Sequence, residues 1–104
     1  MSTLIYLEGL CESTPEIVTG VVEDTPWIDR TEARRECFQS EGGGVSYTYG
    51  KGRGVRTYTS IDYTPFVREV LAKVNVEVEQ RGWQPMNGCF LNCYTNDRQH
   101  LGWH

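Results

Sequence analysis

At 104 residues the chain is long enough for one small domain and a proportionately small core. Hydrophobic residues make up 38%, aromatics 12% and charged residues 23%, a globular balance that argues against disorder. No run approaches the ~18 apolar residues of a membrane span, and no basic segment precedes an apolar one as in a secretory signal, so a soluble, cytoplasmic monomer is expected.

The net charge of −4 argues against indiscriminate nucleic-acid binding, yet the charge is unevenly spread. Residues 1–29 carry acids and no Lys or Arg. Residues 30–60 hold Arg30, Arg34, Arg35, Lys51, Arg53 and Arg56 against Glu32, Glu36 and Glu41. Arginines interleaved with Tyr47, Tyr49 and Tyr58 suit a surface that grips a phosphate backbone and stacks bases, although a solvated hairpin explains the same pattern.

In chain order, residues 4–10 (LIYLEGL) form an apolar run expected to be a first strand. Ser13-Thr14-Pro15-Glu16 signals a helix start, with a hydroxyl cap, Pro at the first helical position and an acid in the first turn. Gly20 and Pro26 should limit that helix to about two turns. From Trp27 to Arg35 the chain reads as a polar loop, and Gly42-Gly43-Gly44 as a flexible one with no helix start to make it a phosphate cradle. Residues 45–49 and 55–58 read as a hairpin closed by GKGRG, which is not a Walker sequence.

The clearest helix spans 64–81. Thr64 caps it, Pro65 opens it and Gly82 closes it, with Val67, Val70, Leu71, Val74 and Val78 on one stripe. Residues 89–94 (CFLNCY) alternate as a strand, with Phe90, Asn92 and Tyr94 on one face and Cys89, Leu91 and Cys93 on the other. An asparagine between two aromatics on an apolar strand points to a polar occupant of that face. The order strand, helix, hairpin, helix, strand predicts an α+β fold with helices on one side of a mainly antiparallel sheet. Four cysteines without a secretory signal read as free thiols.

Residues 87–104, with Asn92-x-Tyr94, the acidic polar turn around Asp97 and Gly102-Trp103-His104, resemble the signature of the AlkB-like dioxygenases, which use Fe(II) and 2-oxoglutarate. Tyr47-Thr48-Tyr49 resembles the segment of that family's nucleotide-binding lid, and Arg35 falls where many members have an arginine. The resemblance covers roughly residues 27–104. It implies an incomplete double-stranded β-helix (jelly roll), with residues 1–30 as an N-terminal strand and helix. Residues 31–63 would be the lid region, and 64–104 the support helix and first barrel strands. It further implies His104 as iron ligand and catalytic residue, Asn92 and Tyr94 as hydrogen-bond partners of 2-oxoglutarate, and Tyr47, Thr48, Tyr49, Arg35 and Arg53 on the substrate.

That substrate would be DNA or RNA carrying N-alkylated bases, demethylated with O2 as co-substrate. Within the family pattern the aspartate, second histidine and 2-oxoglutarate-binding arginine would follow His104, so the 104 residues are expected to be inactive alone. Two rivals stand beside this expectation. One is a non-catalytic nucleic-acid- or protein-binding α+β module. The other is a zinc site at Cys89, Cys93, His100 and His104, whose middle gap of six is half the usual twelve. Ser46 and Ser60 lack the surroundings of a hydrolase nucleophile.

Overall fold

The computed structural model describes residues 4, 6–50, 52–96 and 98–99. Its elements are α1 (Pro15–Asp24), β1 (Ile28–Thr31), β2 (Arg34–Ser40), β3 (Ser46–Tyr49), β4 (Arg56–Thr59), α2 (Pro65–Gln80) and β5 (Gly88–Cys93), with a single 3-10 turn at Gly52–Gly54. This is a small α+β fold. The sheets are antiparallel, one of three strands in the order β1-β2-β5 and one of two strands, β3-β4, and neither closes into a barrel. Among the described residues no helix is long and apolar enough to cross a membrane.

The capping signals act as their chemistry requires. Thr14 accepts a hydrogen bond from the Ile17 amide (3.2 Å) at the start of α1, and Thr64 accepts from that of Val67 (3.5 Å) at the start of α2. At the far end of α2, Gly82 adopts φ +74°. Its N–H reaches the Glu79 carbonyl (3.0 Å), and that of Trp83 reaches Val78 (3.1 Å), a Schellman closure. Helix α1 runs ten residues, longer than the two turns expected, because one Gly20 costs only about 1 kcal/mol. Its last turn is sealed by Trp27, whose indole N–H donates to the Val22 carbonyl (2.9 Å).

Three expectations are corrected. The described residues of the 4–10 run form no strand; Leu4 and Tyr6 are 96% and 84% exposed, with no neighbouring strand to pair. The supposed loop after Trp27 is instead β1 and β2, and β2 is the central strand of the larger sheet. Its alternation is carried by polar residues that are buried because they are paired, which hides it from a hydrophobicity reading. The Gly42–44 stretch is a pinned turn rather than a slack one. All three glycines have φ near +70°, and their amides reach Asp62 Oδ1 (3.0 Å), the Ser40 carbonyl (3.0 Å) and the Ser60 carbonyl (2.8 Å). A Cβ on Gly43 would stand 2.9 Å from the Asp62 backbone nitrogen, so only glycine fits.

That turn seats the hairpin. Ser40 and Ser60 hydroxyls meet at 2.6 Å, Ser60 Oγ accepts from the Val45 amide (2.8 Å), and Ile61 exchanges backbone bonds with Phe38 and Ser40 (3.0 Å each). On the helix side of the sheet, Gln39 is wholly buried. Its Oε1 accepts from the Thr64 amide (2.8 Å) and its Nε2 donates to Cys37 Sγ (3.4 Å), tying β2 to the cap of α2. Asn75 clamps both backbone groups of Met86 (2.7 and 3.2 Å) and so sets the path into β5.

Val67 and Val78 of the expected stripe are buried, while Val70, Leu71 and Val74 are half-buried. The molecular surface, 8222 Å², is well above the ~6,000 Å² of a compact monomer of this mass. The core is accordingly thin.

Candidate functional site

Register decides which residues share a side of the sheet. Along β2 and β5 the directly opposed pairs are Glu36 with Asn92, Phe38 with Phe90, Cys37 with Leu91 and Gln39 with Cys89. Glu36, Phe38, Phe90 and Asn92 therefore stand on one side, and Cys37, Gln39, Leu91 and Cys89 on the other. The second side meets the helices. The first is covered by the β3-β4 hairpin through an aromatic cluster: Tyr58 sits edge-on to Phe90 (4.9 Å), Phe38 stacks on Phe90 (6.0 Å), and Tyr47 reaches Phe38 (6.1 Å).

At the margin of this cluster lies a polar chain. Tyr58 Oη donates to Glu36 Oε2 (3.0 Å), and Arg34 Nη2 lies 3.4 Å from the same oxygen. Arg34 Nε donates to Asn92 Oδ1 (3.1 Å). Arg30 stacks its guanidinium over the Tyr58 ring at 4.5 Å. Glu36 is 2% exposed, and its Oε1 has no hydrogen-bond partner. A cavity of ≈10 Å³ beside it, lined by Ile28, Arg30, Phe38, Tyr58 and Thr59, has about the room of one water.

The expected site residues are distributed as follows. Asn92 and Tyr94 are exposed, Asn92 on the hairpin side and Tyr94 just beyond the end of β5. Tyr47 and Tyr49 share a face of β3 and are 47% and 61% exposed; only Tyr47 joins the aromatic cluster. Thr48 faces away from them, its hydroxyl 3.2 Å from that of Thr57. Arg53 is exposed at the hairpin tip.

Arg35 stands apart from the others. It lies on the helix side of β2, pairs with Asp29 (3.1 Å) and stacks at 5.9 Å on Trp27. Its neighbour Arg34 is the arginine that shares a face with Asn92. His104, like Asp97 and His100, lies outside the described residues.

Sequence reasoning named Arg34 and Tyr58 only as part of a basic, aromatic stretch suited to nucleic acid, and gave Glu36 no role. The i, i+2 spacing of Arg34 and Glu36 places both on one face of a strand, but only once residues 34–40 are known to be a strand.

Among the described residues, two of the six basic residues in 30–60 are paired with carboxylates. Arg34 and Arg35 have acidic partners, whereas among the described residues Arg53 and Arg56 have none. Burial raises the Cys37 and Cys89 thiols above their ordinary pKa, with Cys37 adding to the rise at Cys89. Among the described residues no three of His, Cys, Asp and Glu could hold a metal ion together.

Asn92 Nδ2 and the Tyr94 phenol are hydrogen-bond donors, and the Arg34 guanidinium is bonded to the Asn92 carboxamide. The groove of ≈590 Å³ on the helix side, which Asn92 and Tyr94 also border, is walled mainly by Ile17, Val21, Trp27, Phe66 and Leu91. It contains Glu12 and no cation. It suits apolar groups. Comparison with family models, with curated proteins and with solved structures finds no match for this chain.

Proposed function

We propose that the chain is the lid, support helix and first barrel strands of an AlkB-like Fe(II)/2-oxoglutarate dioxygenase that demethylates N-alkylated bases in DNA or RNA. In this reading β2 and β5 belong to an incomplete jelly roll and the β3-β4 hairpin is the substrate lid. One observation carries it: the hairpin bearing Tyr47 and Tyr58 is seated on the same side of the sheet as Asn92 of the Asn-x-Tyr motif. Tyr47 and Asn92 thus stand on one side of the sheet, which supports the reading.

Each group has a physical role within that reading. Tyr47 and Tyr49 offer π-faces to an unstacked base. Arg53 and Arg56, which have no acidic partner among the described residues, are available to phosphates. Asn92 and Tyr94 donate to carboxylate oxygens. The chemistry that iron and 2-oxoglutarate supply in that family is oxidation of an N-methyl group, which then leaves as formaldehyde. In that family the residue matching His104 is an iron ligand.

Binding is the direct test. Fluorescence anisotropy with a single-stranded oligonucleotide carrying one methylated base should show salt-dependent affinity. Tyr47→Ala should weaken it by about 1–3 kcal/mol, the usual worth of one stacked base. Affinity indifferent to Tyr47, or no binding, contradicts the assignment. The exposed Tyr49, paired across the hairpin with Arg56, also favours a simpler nucleic-acid-binding module. Such a module binds the oligonucleotide and ignores 2-oxoglutarate.

A further inference from the structure

We infer that Arg34 is a positioning residue: it holds the Asn92 carboxamide in one orientation, NH2 outward, so that a carboxylate ligand meets a pre-aimed amide donor. The inference rests on the dicarboxylate assignment above and names what prepares that site. An arginine has donors and no acceptor, so the Asn92 atom 3.1 Å from Arg34 Nε must be the carbonyl oxygen. The amide nitrogen is then fixed on the far side by elimination. An exposed asparagine without such a partner flips between two orientations, one of which presents an acceptor to the incoming anion and repels it.

Arg34 is itself held. Its guanidinium lies against the buried Glu36 (Nη2 to Oε2 3.4 Å), and the same oxygen receives the Tyr58 hydroxyl from the hairpin (3.0 Å). Tyr58, Glu36, Arg34 and Asn92 thus form one continuous chain from the hairpin to the Asn92 amide. A seated hairpin keeps Glu36 in place, Glu36 keeps the guanidinium in place, and the guanidinium orients the amide.

The test separates geometry from charge with Arg34→Lys, which keeps the cation and removes the Nε–H fork. In the isotopically labelled full chain, the Asn92 side-chain amide is followed by its heteronuclear NOE, and 2-oxoglutarate is titrated in without metal. The wild type should show a rigid Asn92 amide; R34K should show a mobile one and bind 2-oxoglutarate about tenfold more weakly. Tyr58→Phe should give a smaller change in the same direction. A thermal melt of each variant is run in parallel, since a purely structural Arg34 lowers the melting temperature without mobilising the Asn92 amide. An Asn92 amide equally rigid in wild type and R34K overturns the inference, whatever the ligand does. If wild type ignores 2-oxoglutarate while the amide loosens in R34K, the clamp stands, and the proposed ligand and the function built on it fall.

Discussion

Glu36 gives the sharpest stability test, because a carboxylate 2% exposed is tolerable only while its partners stay. Glu36→Ala leaves the Arg34 guanidinium, 17% exposed, without its counter-charge and the Tyr58 hydroxyl without its acceptor. Breaking a buried pair from one side costs about 3–5 kcal/mol. Arg34 keeps Asn92 and a little solvent, so the low end, about 3 kcal/mol, is expected. Against the roughly 5–15 kcal/mol total of an ordinary domain this is a large share.

Glu36→Gln keeps the shape. Its carbonyl can accept from Tyr58 and Arg34, while its NH2 enters the position where Oε1 has no partner, so the loss should be about 1 kcal/mol. The double change Arg34→Met with Glu36→Leu removes both charges and should come out near neutral. Urea melts at pH 7 read all three; with m about 2 kcal/mol/M, E36A should shift the midpoint by about 1.5 M. An E36A midpoint indistinguishable from wild type, or a double variant as damaged as E36A, refutes the buried ion pair as described.

Gly43→Ala should cost about 1–3 kcal/mol by urea melt, since its φ of +70° and the 2.9 Å approach to Asp62 N both penalise a Cβ; Gly52→Ala, with open space around it, should cost less. Asp62 accepts from the Tyr63 and Gly42 amides and faces Arg68, which depresses its pKa in the folded state. Its stabilising contribution is therefore present above the ordinary aspartate value of ~3.9 and lost as pH falls through the lower folded value. Asp62→Asn should flatten the acid limb of a stability profile, and an unchanged limb would contradict the link. For the thiols, Cys11 is exposed and should react with an alkylating reagent at pH 8 at the rate of a free thiol. Cys37, buried and raised in pKa, should react only on unfolding, which mass-resolved labelling can check.

The parts of this fold legible in the sequence are those whose signals are local. Helix α2 announces itself by Thr64-Pro65 at one end and Gly82 at the other, and each residue does what its chemistry suggests. The hairpin was visible in its glycines and β-formers. Strand β2 was not, because Arg34, Glu36 and Gln39 look like loop residues. Their burial depends on Asn92, Tyr58 and Thr64, at least 20 residues away in sequence, and no window on the chain sees those partners. The 4–10 run failed for the complementary reason: it has strand-like residues but no strand beside it. The site divides in the same way. Asn92, Tyr94 and Tyr47 were readable from motif and alternation, whereas the Arg34–Glu36–Tyr58 chain needed the register of β2 against β5. Arg34 and Arg35, one residue apart, show how adjacent positions of a strand point to opposite faces.

The central claim is that Asn92 and Tyr94 receive a small dicarboxylate on the hairpin side of the sheet. A chemical-shift titration of the labelled chain with 2-oxoglutarate tests it most directly. The expected result is a saturable shift of the Asn92 side-chain amide and the Tyr94 ring, lost in Asn92→Ala and absent with a monocarboxylate of similar size. Shifts confined to the apolar groove, at Ile17, Val21 or Phe66, or no saturable shift at all, would contradict it.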